Sequence, residues 1–361
     1  MIEMRILLLI PLLLLVACWE RPRLISDCED VGDRLALCGW QKPEDMEVLG
    51  DRQTLIVSEM EAHGSGKPGA LALFDTGSGE KRRIDLGLAV KTPSEPWGSA
   101  ECSAPDIHHF APHGISLSER PDGRQQLLVI NHGGRESIEF FEIEGRGLQS
   151  QLRWQGCVIP PEGSNLNDVV ALPEGGFMAS HMYPRGDTPV GELGWQEITA
   201  LAGFNPGRIL HWDGQDFSEL PNFKGDYPNG IQLSADGKSL FINLWAGSRV
   251  QKLDRFTGEL LGEAEVKSPD NSEWDASGKL LIASHDLSLW DFVICLGAEQ
   301  GACPAKFRIV RLDPETMQTE VVLTQQGAPM GAGTVAQQVG DRLYIGSFIG
   351  DRMMSVPYVA K

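Results

Sequence analysis

Oxygen-bearing side chains recur at the starts of several short apolar segments of this chain, accompanied once by a histidine. These residues are Glu44, Asp45, His113, Asn167, Asp168, Asn229, Asp270 and Asn271. Carboxylate and amide oxygens suit calcium better than zinc or copper, and neutral amides limit the negative charge around the ion. The set therefore predicts calcium binding, although each Asn-Gly or Asp-Asn pair taken alone is more typical of a turn.

The elements that carry these residues form a degenerate repeat. Short β-branched runs alternate with Gly, Asp and Pro, and helical periodicity is nearly absent. The repeat period is roughly 40–50 residues, as in propeller blades. Its six starts are 44–45, 113–115, 167–169, 229–231, 271–272 and 333–335. We predict an all-β, six-bladed β-propeller with a central calcium-containing channel, in which a segment before Glu44 completes the short last blade and closes the ring.

Two connections are long for a compact domain, at 182–207 and 286–306. Such connections are usually functional or disordered, and their apolar side chains argue against disorder. In the first connection, Trp195, Ile198, Leu201 and Phe204 predict a helical turn or two over the channel; the second contains Leu289, Trp290 and Phe292. Whether either connection forms a lid is left open.

The N-terminus predicts secretion. Arg5 precedes an apolar run from Ile6 to Ala17, which is too short to span a bilayer and is typical of a signal peptide. The run ends in Leu15-Val16-Ala17-Cys18, which resembles the bacterial lipobox and predicts lipidation of Cys18. Because Trp19, and not aspartate, follows, we expect an outer-membrane anchor facing the periplasm. The alternative is an ordinary signal peptide with a chance cysteine.

The expected organisation is a signal peptide at 1–17, a lipidated segment and linker at 18–37, and the propeller at 38–361. Six cysteines remain besides Cys18, an even number that predicts disulfides in an oxidising compartment. Short loops cost least to close, so the preferred pairs are Cys28 with Cys38 and Cys295 with Cys303, which leaves Cys102 with Cys157. The net charge of −19 disfavours nucleic-acid binding and favours divalent cations.

The motifs at the repeat starts resemble those of the paraoxonase family of calcium-dependent lactonases and arylesterases. The similarity extends from about residue 38 to 348, in the family's order and with similar spacing. The matching stretches are Glu44-Asp45-Met46-Glu47-Val48-Leu49, Pro112-His113-Gly114-Ile115-Ser116, Leu128-Val129-Ile130-Asn131-His132, Asn165-Leu166-Asn167-Asp168-Val169-Val170-Ala171, Pro228-Asn229-Gly230-Ile231, Pro269-Asp270-Asn271-Ser272 and Gly333-Thr334-Val335-Ala336.

The resemblance implies two calcium ions stacked in the channel. It assigns the catalytic ion to Glu44, Asn167, Asn229, Asp270 and Asn271. It assigns the structural ion to Asp45, Asp168 and the backbone carbonyl of Ile115. Neighbouring side chains of an extended strand point opposite ways, which is compatible with one residue of each adjacent pair serving each ion.

The resemblance also makes His113 and His132 a catalytic pair, in which His113 deprotonates water and His132 tunes it, while calcium polarises the substrate carbonyl. The implied function is hydrolysis of small lactones and aryl esters. The alternatives are a gluconolactonase-type sugar lactonase, which lacks this histidine pair, and a non-catalytic, calcium-stabilised propeller that binds a ligand or an envelope partner.

Two departures from the family limit the transfer. The C-terminal tail 355–361 has no cysteine, so the family's disulfide between the chain ends cannot form. The connection 182–207 differs in sequence from the family's membrane-facing active-site wall. Substrate preference is therefore the least transferable implication.

Overall fold

The computed structural model describes residues 23–61, 67–91, 93, 95–186, 194–204, 206–288, 291, 295, 298 and 300–360. The expected signal peptide and Cys18 lie outside the described residues, as do Leu289, Trp290 and Phe292. No helix within these described ranges is both long and apolar enough to cross a membrane.

The described residues form six antiparallel sheets of four strands each, which confirms the predicted six-bladed propeller. Blade one contains β2 (Pro43–Val48), β3 (Thr54–Glu59), β4 (Ala70–Asp75) and β5 (Lys81–Arg83). Blade two contains β6 (Pro112–Glu119), β7 (Gln125–Asn131), β8 (Ser137–Glu144) and β9 (Gln151–Val158). Blade three contains β10 (Leu166–Ala171), β11 (Phe177–His181), β12 (Arg208–Trp212) and β13 (Phe217–Glu219).

Blade four contains β14 (Pro228–Leu233), β15 (Ser239–Leu244), β16 (Arg249–Asp254) and β17 (Leu260–Glu265). Blade five contains β18 (Pro269–Trp274), β19 (Leu280–His285), β20 (Phe307–Leu312) and β21 (Thr319–Gln325). Blade six contains β22 (Gly333–Val339), β23 (Arg342–Ser347), β24 (Arg352–Pro357) and β1 (Leu35–Cys38). Among the described residues, the helices with defined bounds are α1 (Leu86–Ala89) and α2 (Trp195–Leu201), with a 3-10 turn at Gly147–Gln149.

The first and last strands of the chain close the ring. Strand β1 pairs antiparallel with β24, so a segment ahead of Glu44 completes blade six, as the short last repeat predicts. The strand begins at Leu35, just before the expected domain start at residue 38. The fully buried Arg352 of β24 reinforces the closure, because its guanidinium donates to the carbonyls of Asp27 at 2.6 Å and Ile25 at 3.2 Å.

The hydrophobic core lies between the blades. One cluster joins Ile56 and Leu73 of blade one to Leu127 and Phe141 of blade two, and equivalent clusters occupy each successive junction around to blades six and one. Because every blade buries its faces against two neighbours, the positions of the innermost strands are fixed by the whole ring.

Three disulfides are present with the predicted pairing: Cys28–Cys38, Cys102–Cys157 and Cys295–Cys303. The pairs separated by ten and eight residues close local loops. The Cys102–Cys157 bond ties the connection that precedes β6 to the outermost strand of blade two.

Candidate active site

All six innermost strands are irregular close to their first residue. In each of them the pairing register with the second strand of the blade shifts at this point, as in a β-bulge. In blades one and three a serine of the second strand accepts a hydrogen bond from the backbone amide at the bulge: Asp45 N donates to Ser58 Oγ at 3.2 Å, and Asp168 N donates to Ser180 Oγ at 3.0 Å. The bulges occur at the repeat starts, so they orient the residues that the sequence singled out.

The five residues assigned to the catalytic ion form a buried group from blades one, three, four and five. Asn271 Nδ2 donates to Glu44 Oε1 at 2.7 Å, across two blades, and Thr334 Oγ1 of blade six donates to the Glu44 carbonyl at 2.6 Å. Within the described part of the chain, four oxygens of this group are buried without a hydrogen-bond partner: Glu44 Oε2, Asn167 Oδ1, Asn229 Oδ1 and Asn271 Oδ1. Buried polar atoms are normally paired, so these oxygens fit a cation that accepts oxygen ligands.

Asp45 and Asp168 are hydrogen-bonded in the same way, each to a backbone amide of the next blade. Asp45 Oδ2 accepts from the amide of Ile115 at 2.8 Å, and Asp168 Oδ2 accepts from the amide of Ile231 at 2.9 Å. Each carboxylate thus binds the innermost strand of the following blade. The structure brings Ile115 against Asp45 through its amide, while the role of its carbonyl as a ligand stays a prediction.

Burial and mutual repulsion raise the pKa values of the site carboxyls. Burial, followed by Asp168 and Glu44, raises the pKa of Asp45 well above its ordinary value, and burial raises that of Asp168 to about 8. Burial and Glu44 also raise the pKa of Asp270. Protonation or a bound cation is needed to offset this repulsion at neutral pH.

The donors fit calcium better than a transition metal. In the described ranges, no three His, Cys, Asp or Glu side chains cluster in a way that could hold a metal ion. The unpartnered amide oxygens of Asn167, Asn229 and Asn271 are the further donors available beside the carboxylates. A mixture of carboxylate and amide oxygens, without thiolate, is a calcium-type donor set.

His113 and His132 lie in direct contact. His113 Nδ1 is 2.8 Å from His132 Nε2, and His113 Nε2 is 3.6 Å from Glu44 Oε1. Burial opposes protonation of His113, but the carboxylates of Glu44, Asp168 and Glu136 together outweigh it, and the pKa of His113 is raised. The pair therefore adjoins the group of unpaired oxygens, which is the arrangement expected of a general base beside a polarised carbonyl.

Two residues near the site were missed by sequence reasoning. Glu136 accepts from His132 Nδ1 at 2.8 Å; it follows β7 in a turn outside the repeat starts, and its spacing of four residues from His132 was the available signal. His285 Nε2 is 3.4 Å from Asp270 Oδ2, and burial lowers the pKa of His285 to about 4. Its position at the end of β19 gave no comparable signal.

Helix α2 lies beside the site. Its Glu197 accepts from the hydroxyl of Tyr227 at 3.0 Å, and Tyr227 comes two residues before Asn229. The sequence expectation of a helical turn from Trp195 to Leu201 is confirmed, while Trp195 and Phe204 are 74% and 77% exposed.

The family model described as Arylesterase matches residues 59–354. This chain belongs to the arylesterase family. Human serum paraoxonase/arylesterase 1 is 24% identical over 320 residues, which cover 84% of this chain and 82% of that protein. The mouse protein of the same name is also 24% identical, over 317 residues. Glu44 and Asp45 of this arylesterase-family chain precede the matched segment.

Solved structures agree on the fold. A luciferin-regenerating enzyme superposes with a TM-score of 0.52 at 14% identity, covering 94% of this arylesterase-family chain and 98% of its own. A protein assigned as a gluconolactonase gives a TM-score of 0.51 at 14% identity, with coverage of 90% and 91%. At such identities the similarity establishes the propeller alone.

Proposed function

We propose that this chain is a calcium-dependent hydrolase of lactones and aryl esters. Membership of the arylesterase family supports the reaction class. The observation that carries the proposal is the contact of His113 with His132 at 2.8 Å, beside four buried oxygens that have no partner among the described residues. These two features provide a base and a cation site next to each other.

The histidines supply the proton chemistry. His113 Nε2 accepts a proton from the attacking water, whose oxygen bonds to the acyl carbon of the substrate. The bond from that carbon to the leaving oxygen then breaks as the carbonyl re-forms, and the leaving oxygen takes the proton held on His113 Nε2, which returns the base to its neutral state. His132 receives the hydrogen bond of His113 Nδ1 and so orients the base while His113 is charged.

The oxygen-bearing residues would hold two calcium ions. Glu44, Asn167, Asn229, Asp270 and Asn271 would hold the first ion. Asp45, Asp168 and the Ile115 carbonyl would hold the second. Calcium at the first position supplies polarisation of the substrate carbonyl and compensation of the negative charge that develops on its oxygen. The buried Asp45 and Asp168 explain why the second ion would stabilise the fold.

A substrate panel with and without a chelator tests the proposal. Purified protein should hydrolyse γ- and δ-lactones and phenyl esters, lose this activity with the chelator, and regain it when calcium is added. Tight calcium binding without hydrolysis of any panel member would favour the non-catalytic propeller. Hydrolysis restricted to sugar lactones would favour the gluconolactonase-type enzyme. Activity that survives complete calcium removal would contradict the metal assignment.

We further infer that the chain is anchored in the bacterial envelope through a lipid on Cys18, with the propeller facing the periplasm. The lipobox-like Leu15-Val16-Ala17-Cys18 supports this proposal. Expression with labelled palmitate should mark the parent protein and bring it to the membrane fraction, and Cys18→Ser should lose both properties. Soluble, unlabelled parent protein would overturn this anchoring.

A further inference from the structure

Glu136 occupies an unusual position for a carboxylate, because three N–H donors surround it. Leu166 N donates to Oε1 at 2.7 Å, and Arg185 Nη1 donates to Oε2 at 2.8 Å. His132 Nδ1 lies 2.8 Å from the same Oε2. The Glu136 side chain is only 9% exposed, so these contacts are held within the protein.

The two fixed donors decide which atom of His132 carries the proton. A backbone amide and a guanidinium can only donate, so Glu136 accepts at both oxygens and acts as an ionised carboxylate. His132 Nδ1 must then donate to it, which leaves the lone pair of the neutral ring on Nε2. His132 Nε2 therefore accepts from His113 Nδ1, and the lone pair of neutral His113 lies on Nε2, toward Glu44.

We propose that Glu136 is a positioning residue that fixes the tautomers of both histidines and so keeps His113 Nε2 free to accept a proton. This role rests on the proposed function, in which His113 is the base. Glu136 bonds to none of the unpaired oxygens, and it acts through His132. Nothing in the repeat pattern required this residue, which lies in the turn between β7 and β8.

The turn that carries Glu136 is rigidly built. Asn131 Oδ1 accepts from the amides of Ala111 at 2.9 Å and Gly133 at 3.1 Å, which pins the turn to the residue before β6. A Cβ atom at Gly133 would lie 1.4 Å from the carbonyl oxygen of His109, so only glycine fits at this close approach.

Glu136 also links the histidine pair to the proposed calcium ligands. Its partner Leu166 directly precedes Asn167 in β10. One carboxylate thus aligns the base from blade two with an oxygen donor from blade three.

The test compares Glu136→Gln with Glu139→Gln. Glu139 is a matched control, since it is a buried carboxylate three residues away that accepts from Ser137 Oγ, Trp154 Nε1 and Arg135, and contacts neither histidine. In Glu136→Gln a single amide oxygen faces three donors. We expect kcat to fall roughly 10²-fold with KM unchanged, since part of the general-base contribution is lost. Glu139→Gln should keep the parent's kcat.

The tautomers are measured directly by NMR of protein labelled with ¹⁵N-histidine. The parent should show His132 and His113 each protonated at Nδ1, and Glu136→Gln should lose this single state for His132. Glu136→Asp keeps the charge and should restore more kcat than Gln. An unchanged His132 tautomer in Glu136→Gln, or an equal loss of kcat in Glu139→Gln, would overturn the proposal.

This measurement separates the two hypotheses because it needs no substrate. If the parent hydrolyses no ester, the proposed function fails, and the NMR comparison still decides whether Glu136 sets the tautomers. If Glu136→Gln does not fold, the His132 tautomer and the kcat of Glu136→Asp decide the question. The parental tautomer together with a kcat close to the parent's supports the positioning role of Glu136. Loss of the tautomer with full kcat contradicts that role.

Discussion

Replacement of His113 by glutamine isolates the contribution of the base. Glutamine has a similar reach and can still donate a hydrogen bond toward His132, but it cannot take a proton at neutral pH. General bases contribute roughly 10²–10⁴-fold to turnover. At about 1.36 kcal/mol for each tenfold change, this equals about 2.7–5.4 kcal/mol of transition-state stabilisation.

The expected loss of fold stability is much smaller. His113 makes a side-chain hydrogen bond to His132, worth about 0.5–1.5 kcal/mol, and glutamine can replace part of it. The melting temperature should therefore fall by no more than roughly 5 °C. Calcium content should be unchanged, because the imidazole is not among the proposed ligands.

The assay is steady-state hydrolysis of a phenyl ester and a lactone by calcium-saturated protein. His109→Gln is the matched control, since the His109 side chain is exposed and bonds to Asp106 at 2.7 Å, outside the histidine pair. We expect a large loss of kcat in His113→Gln and none in His109→Gln. Turnover by His113→Gln close to the parent's on every ester that the parent cleaves would refute the assignment of the base.

Three further predictions test the cation site and the ring. Asn271→Ala should weaken calcium binding, with activity partly restored by raised free calcium, as mass action requires; unchanged affinity in a calcium titration would remove Asn271 from the ligands. In chelated protein, burial raises the pKa of Asp168 to about 8, above the unfolded value of about 3.9. The contribution of Asp168 to the stability of the fold is therefore fully present below about pH 4 and is lost as the pH rises through 8. The melting temperature of chelated protein should therefore fall from pH 5 to pH 9, and a rise in melting temperature over that range would contradict the direction of the pKa shift. Arg352→Leu should lower the free energy of unfolding by about 3 kcal/mol or more, since hydrogen bonds to a charged group contribute about 1.5–3 kcal/mol each; denaturant unfolding with an unchanged midpoint would contradict this.

The sequence predicted the features that depend on local chemistry. Each of the six polar repeat starts begins an innermost strand, because turn residues and β-branched runs signal strands directly. The disulfides followed from loop length. The spacing of Gly333 from the C-terminus indicated that an N-terminal segment must complete blade six.

Individual side-chain contacts and details of backbone register could not be predicted. The role of Glu136 arises from a tight turn and from Leu166 of the next blade, and a lone glutamate in a turn carries no such signal. The contact between His285 and Asp270 likewise joins the end of one strand to the start of its partner, 15 residues apart by the difference of their numbers. The bulges in the innermost strands follow from backbone register, which alternation of side chains does not reveal.

Because β1 pairs with β24, the ring closes only after the last strand has been synthesised, and the group of unpaired oxygens is assembled only then. Glu44 lies in β2, near the N-terminal end of the propeller, yet its backbone carbonyl accepts from Thr334 and its strand packs beside β22. A nascent chain whose residues beyond Gly333 have not yet left the ribosome therefore lacks blade six beside Glu44, and its β1 has no strand to pair with. Contacts of such high sequence separation form slowly. Under the proposed function, the cation site would be complete only in a closed ring, so only a full-length chain would gain the stability that cation binding confers.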